Sequence, residues 1–177
     1  MPPRTDTFDL EGLRLTSGEG RKLDLGVGLG ALELGAERYP VQPALVPVAL
    51  DISRTTGQGY ALRLRFSAGL EGPCMRCLEP AQPIFEVDAR EISQPGETDE
   101  LDSPYVVGGI LDLSAWAHDA LALVLPPALL CRPDCAGLCP VCGENLNLAG
   151  DEHHHDPEPD PRWAKLSEIH FDTPASE

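Results

Sequence analysis

The stretch Tyr60-Ala61-Leu62-Arg63-Leu64-Arg65-Phe66 decides the fold class. Large apolar side chains alternate with smaller or charged ones. A period of two places Tyr60, Leu62, Leu64 and Phe66 on one face of a strand and both arginines on the wet face. Working outward, residues 46–55 read as the preceding strand and Thr56-Gly57-Gln58-Gly59 as the turn between the two. Residues 84–92 form a further strand, with Phe85, Val87 and Ala89 on one face. Between these last two strands runs Gly72-Pro73-Cys74-Met75-Arg76-Cys77-Leu78-Glu79-Pro80, so a cysteine pair sits on a turn joining paired strands. Residues 8–15 alternate loosely, and a short strand is expected near 105–107.

Downstream the period changes. Asp112 is placed to cap a helix over about residues 113–125, where Leu113, Trp116, Ala117, Ala120, Leu121 and Val124 form one apolar stripe. Pro126-Pro127 stops it, because proline lacks the N–H and clashes with the preceding turn. Asp160-Pro161 supplies a cap and first-turn proline for a short C-terminal helix bearing Trp163, Leu166 and His170. The expected fold is α+β and β-dominated, an antiparallel sheet or partly open barrel with one main helix, a zinc-knuckle segment and that short helix.

A chain of 177 residues with 18 Pro and 17 Gly predicts one loop-rich domain with a small appendage. Residues 1–130 are expected to form the core, interrupted by an acidic loop at 93–104. Residues 131–172 form a cysteine-rich segment packed on that core, and 173–177 a disordered tail. The opening residues lead into no apolar run suited to export, and the run 120–130 is too short to span a bilayer, so a cytoplasmic protein with no membrane contact is expected.

The formal net charge is −16, from 13 basic and 29 acidic side chains. It is unevenly spread: 10 of the 13 bases precede residue 91, whereas residues 91–130 carry 7 acids and no base. An acidic second half suits a basic protein partner, and RNA contact would have to use the first half, through Arg54, Arg63, Arg65 and Arg76. Acids that merely keep the chain soluble are the alternative.

Six cysteines in a reducing compartment point to metal rather than disulfides. Cys139-Pro140-Val141-Cys142-Gly143 has the form of a zinc knuckle, two thiolates on a tight turn whose N–H groups face the sulfurs. Cys131 with Cys135 and Cys74 with Cys77 offer two further pairs. In one partition Cys131, Cys135, Cys139 and Cys142 hold a single ion, although only three residues separate its halves. In the other, Cys74, Cys77, Cys131 and Cys135 form one site, and Cys139 and Cys142 join His153 and His155 in a second. The long separation of Cys77 from Cys131 is no obstacle, because loop-closure entropy grows only logarithmically. Either way the expected cofactor is zinc, one or two structural ions. Four protein ligands leave no position for water, so no hydrolytic chemistry is expected.

Enzyme readings fare poorly. Gly26-Val27-Gly28-Leu29-Gly30-Ala31 mimics a dinucleotide loop, but Gly35 and Pro40 interrupt any helix after it. Cys74 and Cys77 lack the helix start of a thiol redox pair. No Ser, His and acid grouping stands out. Neither catalysis nor a small-molecule substrate is indicated.

Several local patterns fall in a recognisable order. Leu78-Glu79-Pro80 follows the first Cys pair. Leu111-Asp112-Leu113 opens a helix closed by Leu125-Pro126-Pro127. Then come Cys131, Asp134-Cys135, Gly137-Leu138-Cys139-Pro140-Val141-Cys142-Gly143, Asn145-Leu146-Asn147 and Asp160-Pro161-Arg162-Trp163-Ala164-Lys165-Leu166. From about residue 8 to 170 this resembles the bacterial YceD family of large ribosomal RNA subunit accumulation proteins. The resemblance implies a non-enzymatic role in large-subunit ribosome biogenesis, supporting processing or accumulation of large-subunit ribosomal RNA. Ribosomal RNA, a basic large-subunit ribosomal protein, or both are the implied partners. The chain departs from the family pattern where many relatives carry two further cysteines and it has His153 to His155. Either imidazole replaces thiolate there or the second metal is lost. A different class of function, a thiol/zinc redox switch or an adaptor for a basic protein, is the alternative.

Overall fold

The computed structural model describes residues 2–94, 102–150, 152–155 and 162. In chain order these give β1 (Thr7–Asp9), a 3-10 turn (Glu11–Leu13), β2 (Gly20–Val27), β3 (Ala31–Leu34), β4 (Glu37–Gln42), β5 (Val46–Arg54), β6 (Tyr60–Leu70), β7 (Gly72–Pro73), β8 (Pro80–Ala81), β9 (Ile84–Ser93), β10 (Val106–Val107), β11 (Ile110–Asp112) and the helix α1 (Leu113–Leu123). The chain divides into two compact units, Met1–Cys135 and Ala136–Glu177.

The alternating stretch is the axis of the first unit. β6 pairs antiparallel with β5 on one side and β9 on the other, in register from Tyr60↔Arg54 and Tyr60↔Ser93. β2 extends the sheet beyond β5, and the β3–β4 hairpin joins at Leu70↔Val41. The sheet is antiparallel, and among the described residues it does not close into a barrel. Burial along β6 follows the expected alternation, with Tyr60, Leu62, Leu64 and Phe66 inside and Arg63 and Arg65 half-exposed. β1, β11 and β10 form a separate small sheet, and β7 with β8 a two-stranded ribbon.

α1 covers the core. Asp112 ends β11 and caps the helix, its carboxylate accepting from Ala115 N at 2.9 Å. Leu113, Trp116, Ala117, Ala120 and Leu121 are buried against Leu50, Leu64 and the other sheet residues. The helix is two residues shorter than the period predicted, and Val124 lies outside the stripe, 42% exposed. The cause is Pro126, which disfavours helical geometry at Leu125. The last turn tightens instead, with Val124 N donating to Leu121 O and Leu125 N to Ala122 O.

The glycine-rich run lies at the end of β2 and the turn into β3, so strand rather than helix follows it. The loose alternation at 8–15 yields β1 and then the 3-10 turn, broken where Arg14 takes a left-handed φ of 51°. Most of the acidic loop, and the C-terminal helix and tail apart from Arg162, lie outside the described residues.

Candidate metal centres

The first cysteine pair sits on the tip of the β7–β8 ribbon, held by its own backbone. Cys74 N donates to Glu79 O at 2.8 Å and Leu78 N to Cys74 O at 3.0 Å, closing a knuckle around Cys77. Such a turn needs a left-handed residue at its fourth step, and Leu78 supplies it with φ 62°. The chain after α1 is drawn onto this knuckle, with Met75 N donating to Leu129 O at 2.8 Å and Leu129 N to Met75 Sδ at 3.3 Å. Cys131 and Cys135 arrive with it.

The sulfurs of Cys74, Cys77, Cys131 and Cys135 all lie within 4.8 Å of one another. Cys74 Sγ is 3.8 Å from Cys135 Sγ, and Cys77 Sγ is 3.6 Å from Cys131 Sγ. Four thiolates bound tetrahedrally to zinc at about 2.3 Å stand about 3.8 Å apart, so the donor set fits the ion. The spacing is far too long for a disulfide, and all six cysteines are free. Three of the four are buried, at 0% for Cys74, 3% for Cys77 and 1% for Cys135, while Cys131 is exposed.

Electrostatics prepare the cluster for a cation. Burial pushes the Cys74 thiol up, but N–H groups of Cys77, Arg76 and Cys131 aimed at its sulfur outweigh that and bring it down to about 6. Cys131 is pushed up to about 12, first by partial desolvation and then by the neighbouring thiols. Sulfurs this close cannot all ionise without a positive charge among them.

The second unit repeats the device. Cys139 N donates to Glu144 O at 2.8 Å and Gly143 N to Cys139 O at 2.9 Å, the same two bonds at the same spacing. Gly143 occupies the left-handed position at φ 76°, where glycine carries no steric penalty. An isolated bridge Leu138↔Asn145 closes the base. Asn145 Oδ1 accepts from Asn147 N and Nδ2, and Asn147 Oδ1 accepts from Ala136 N at 2.8 Å, so the Asn-Leu-Asn motif braces the knuckle.

Cys139, Cys142, His153 and His155 form the second group within 4.8 Å. Nε2 of His155 lies 3.3 Å from Cys142 Sγ, and Nε2 of His153 lies 3.7 Å from it. Two thiolates and two imidazole nitrogens fit a tetrahedral ion as well as four thiolates do. Glu144 Oε2 is 3.0 Å from His153 Nδ1, an arrangement that holds the ring and leaves Nε2 facing the sulfurs. Sequence reasoning missed Glu144; its place two residues after Cys142 is the available clue. The Cys139 thiol is brought down to about 6, chiefly by a hydrogen bond from His153 and then by the N–H groups of Cys142 and Val141. His153 is raised by the same Cys139 contact, against some desolvation. This group is more open than the first, since Cys142 and His155 are exposed.

Residues 62–170 match the family described as large ribosomal RNA subunit accumulation protein YceD. The chain belongs to the YceD family. An uncharacterized protein of Mycobacterium tuberculosis and one of Mycobacterium bovis are each 37% identical over 134 residues, 72% of this chain and 63% of theirs. An uncharacterized protein of Mycobacterium leprae is 31% identical over 152 residues, 82% of this chain and 64% of its own. The chain thus matches a little under two thirds of the length of these relatives. No solved structure matches it. The YceD match takes in both cysteine groups, and the ligand candidates of each lie within one compact unit. No helix among the described residues is long and apolar enough to cross a membrane.

Proposed function

We propose that this YceD-family protein is a non-enzymatic factor of large-subunit ribosome biogenesis, supporting processing or accumulation of large-subunit ribosomal RNA, with two structural zinc ions holding its two units in shape. Family membership carries the ribosomal part of the reading. The donor sets carry the metal part: four thiolates in one group, two thiolates and two imidazoles in the other, each filling a tetrahedron. A closed tetrahedron crosslinks and does not activate water. Cys74, Cys77, Cys131 and Cys135 would hold one ion, and Cys139, Cys142, His153 and His155 the other.

A basic large-subunit ribosomal protein is the favoured partner over direct RNA contact. Arg63 makes two bonds to Asp88, at 2.7 and 2.6 Å, which hold that carboxyl below its usual range. Arg65 pairs with Asp51 at 2.8 Å, and Arg54 lies over the Tyr60 ring. Three of the four arginines considered for RNA therefore already have partners within the sheet. No membrane contact and no small-molecule substrate belong to this reading.

Depletion of the protein in cells tests the ribosomal role. Large-subunit ribosomal RNA should fall relative to small-subunit RNA or accumulate as precursor, and re-expression should restore it; an unchanged ratio would reject the role. Elemental analysis tests the metal, with two zincs per chain expected. An iron-loaded cluster would instead show visible thiolate-to-metal absorption. The exposure of Cys142 supports a second reading, a thiol/zinc redox switch, in which mild oxidant ejects zinc while the first unit stays folded.

A further inference from the structure

The two knuckles differ at one position. Where the second has Gly143, the first has Leu78, a side chain held at left-handed φ and 66% exposed to solvent. Glycine would serve the turn without the steric penalty, so the turn does not account for the leucine. Leu78 lies instead on the wall of a groove of about 800 Å³ between the β3–β4 hairpin, the knuckle and the chain leaving α1. Met75, 41% exposed, with Leu34 and Pro126 continues the apolar wall. The ionisable carboxylates lining it are Glu33 and Glu37, and no base lines it among the described residues.

We infer that this groove is a docking site for a basic protein segment carrying an apolar anchor. Charge complementarity selects the occupant. An apolar anchor would fill the space beside Leu78 and Met75 while lysine or arginine side chains meet Glu33 and Glu37, whereas a nucleic acid would be repelled by the carboxylates and by the net charge of −16. An exposed leucine held at left-handed φ on the wall of an apolar groove marks that wall as an interaction surface. The inference rests on the reading of the chain as a factor with a basic partner, and assigns that partner a place.

The test uses the full-length metal-loaded protein and a synthetic amphipathic peptide of lysine with leucine at every third or fourth position. Its binding should shift the NMR methyl signals of Leu34, Met75 and Leu78. Leu78→Gly, which copies Gly143 and keeps the turn, should weaken binding about tenfold through loss of the buried leucine contact while zinc content holds and melting temperature does not fall. Ile92→Ser, at an exposed apolar position outside the groove (52%), should leave affinity unchanged. Equal weakening by both variants, equal binding of a glutamate-for-lysine peptide, RNA displacing the peptide from the same signals, or a second copy of the chain occupying them would overturn the inference. In depleted cells, full rescue of ribosomal RNA by Leu78→Gly would sink the docking site alone. Absence of any ribosomal RNA defect on depletion would sink the ribosomal reading instead.

Discussion

The two candidate metal centres share a backbone and differ in nearly everything around it. Both knuckles use the same pair of hydrogen bonds and a left-handed residue directly after the second cysteine. The first gathers four thiols, three of them buried, from segments 54 and 61 residues apart. The second gathers two thiols and two imidazoles from segments 11 and 13 apart, half of them exposed. Closing the longer loop removes more freedom from the unfolded chain, by about 1.4 kcal/mol for a roughly fivefold difference in length. Burial also shields three of the first centre's four sulfurs, all but that of Cys131, from chelators and oxidants. With metal bound, the same turn would serve as a shielded rivet in one place and an accessible clasp in the other.

Substitution of single ligands should break this contrast most sharply. Cys74→Ser should cut zinc from two per chain to one and unfold or strongly loosen the first unit, because structural zinc contributes on the order of 10 kcal/mol to folding. Cys139→Ser should also remove one zinc but leave the melting of the sheet unit nearly unchanged by calorimetry. Equal thermal losses in the two variants would erase the distinction. Chelation should then sharpen it. Excess EDTA followed by a zinc-sensitive dye should release metal in two phases, with the faster phase absent from Cys139→Ser and present in Cys74→Ser.

Smaller effects follow at the supporting residues. Glu144→Gln should weaken zinc binding at the second centre about 10- to 100-fold, as loss of a carboxylate orienting a ligating histidine does; competition against a chelator of known affinity reads this directly. Leu78→Gly should raise stability in urea by up to about 1 kcal/mol, since the left-handed penalty exceeds the added freedom of glycine. Gly143→Leu should lower the zinc affinity of the second knuckle for the reverse reason. Arg63→Gln should change stability by no more than about 1 kcal/mol, because its ion pair with Asp88 is partly exposed.

Much of the sheet was legible because each strand of the central trio has one dry face. Tyr60 to Phe66 and Phe85, Val87 and Ala89 write their period of two directly into the chain. β2, β3 and β4 were missed. Leu23, Leu25 and Val27 do alternate, but the glycines that follow suggested a phosphate loop, and Pro40 in β4 reads as a breaker until β4 is seen to pair with β6 only at Val41 and Gln42, beyond the proline. The helix start was readable from Asp112, a local hydrogen bond, and its end was misjudged by two residues because Pro126 acts backward through the turn before it. All eight ligand candidates were visible as residue types, but Glu144 was not, since an acid among many acids carries no mark of its neighbour.

Residue chemistry and short-range spacing were settled by the order of amino acids alone: which side chains could bind a soft cation, where strands alternate, where one helix begins and that the chain is acidic. Only the folded arrangement decided which thiols meet. Spacing along a chain constrains partners within a turn, whereas Cys77 and Cys131 are brought together by the pairing of β6 with β9 and the packing of α1, interactions written in residues far from either cysteine.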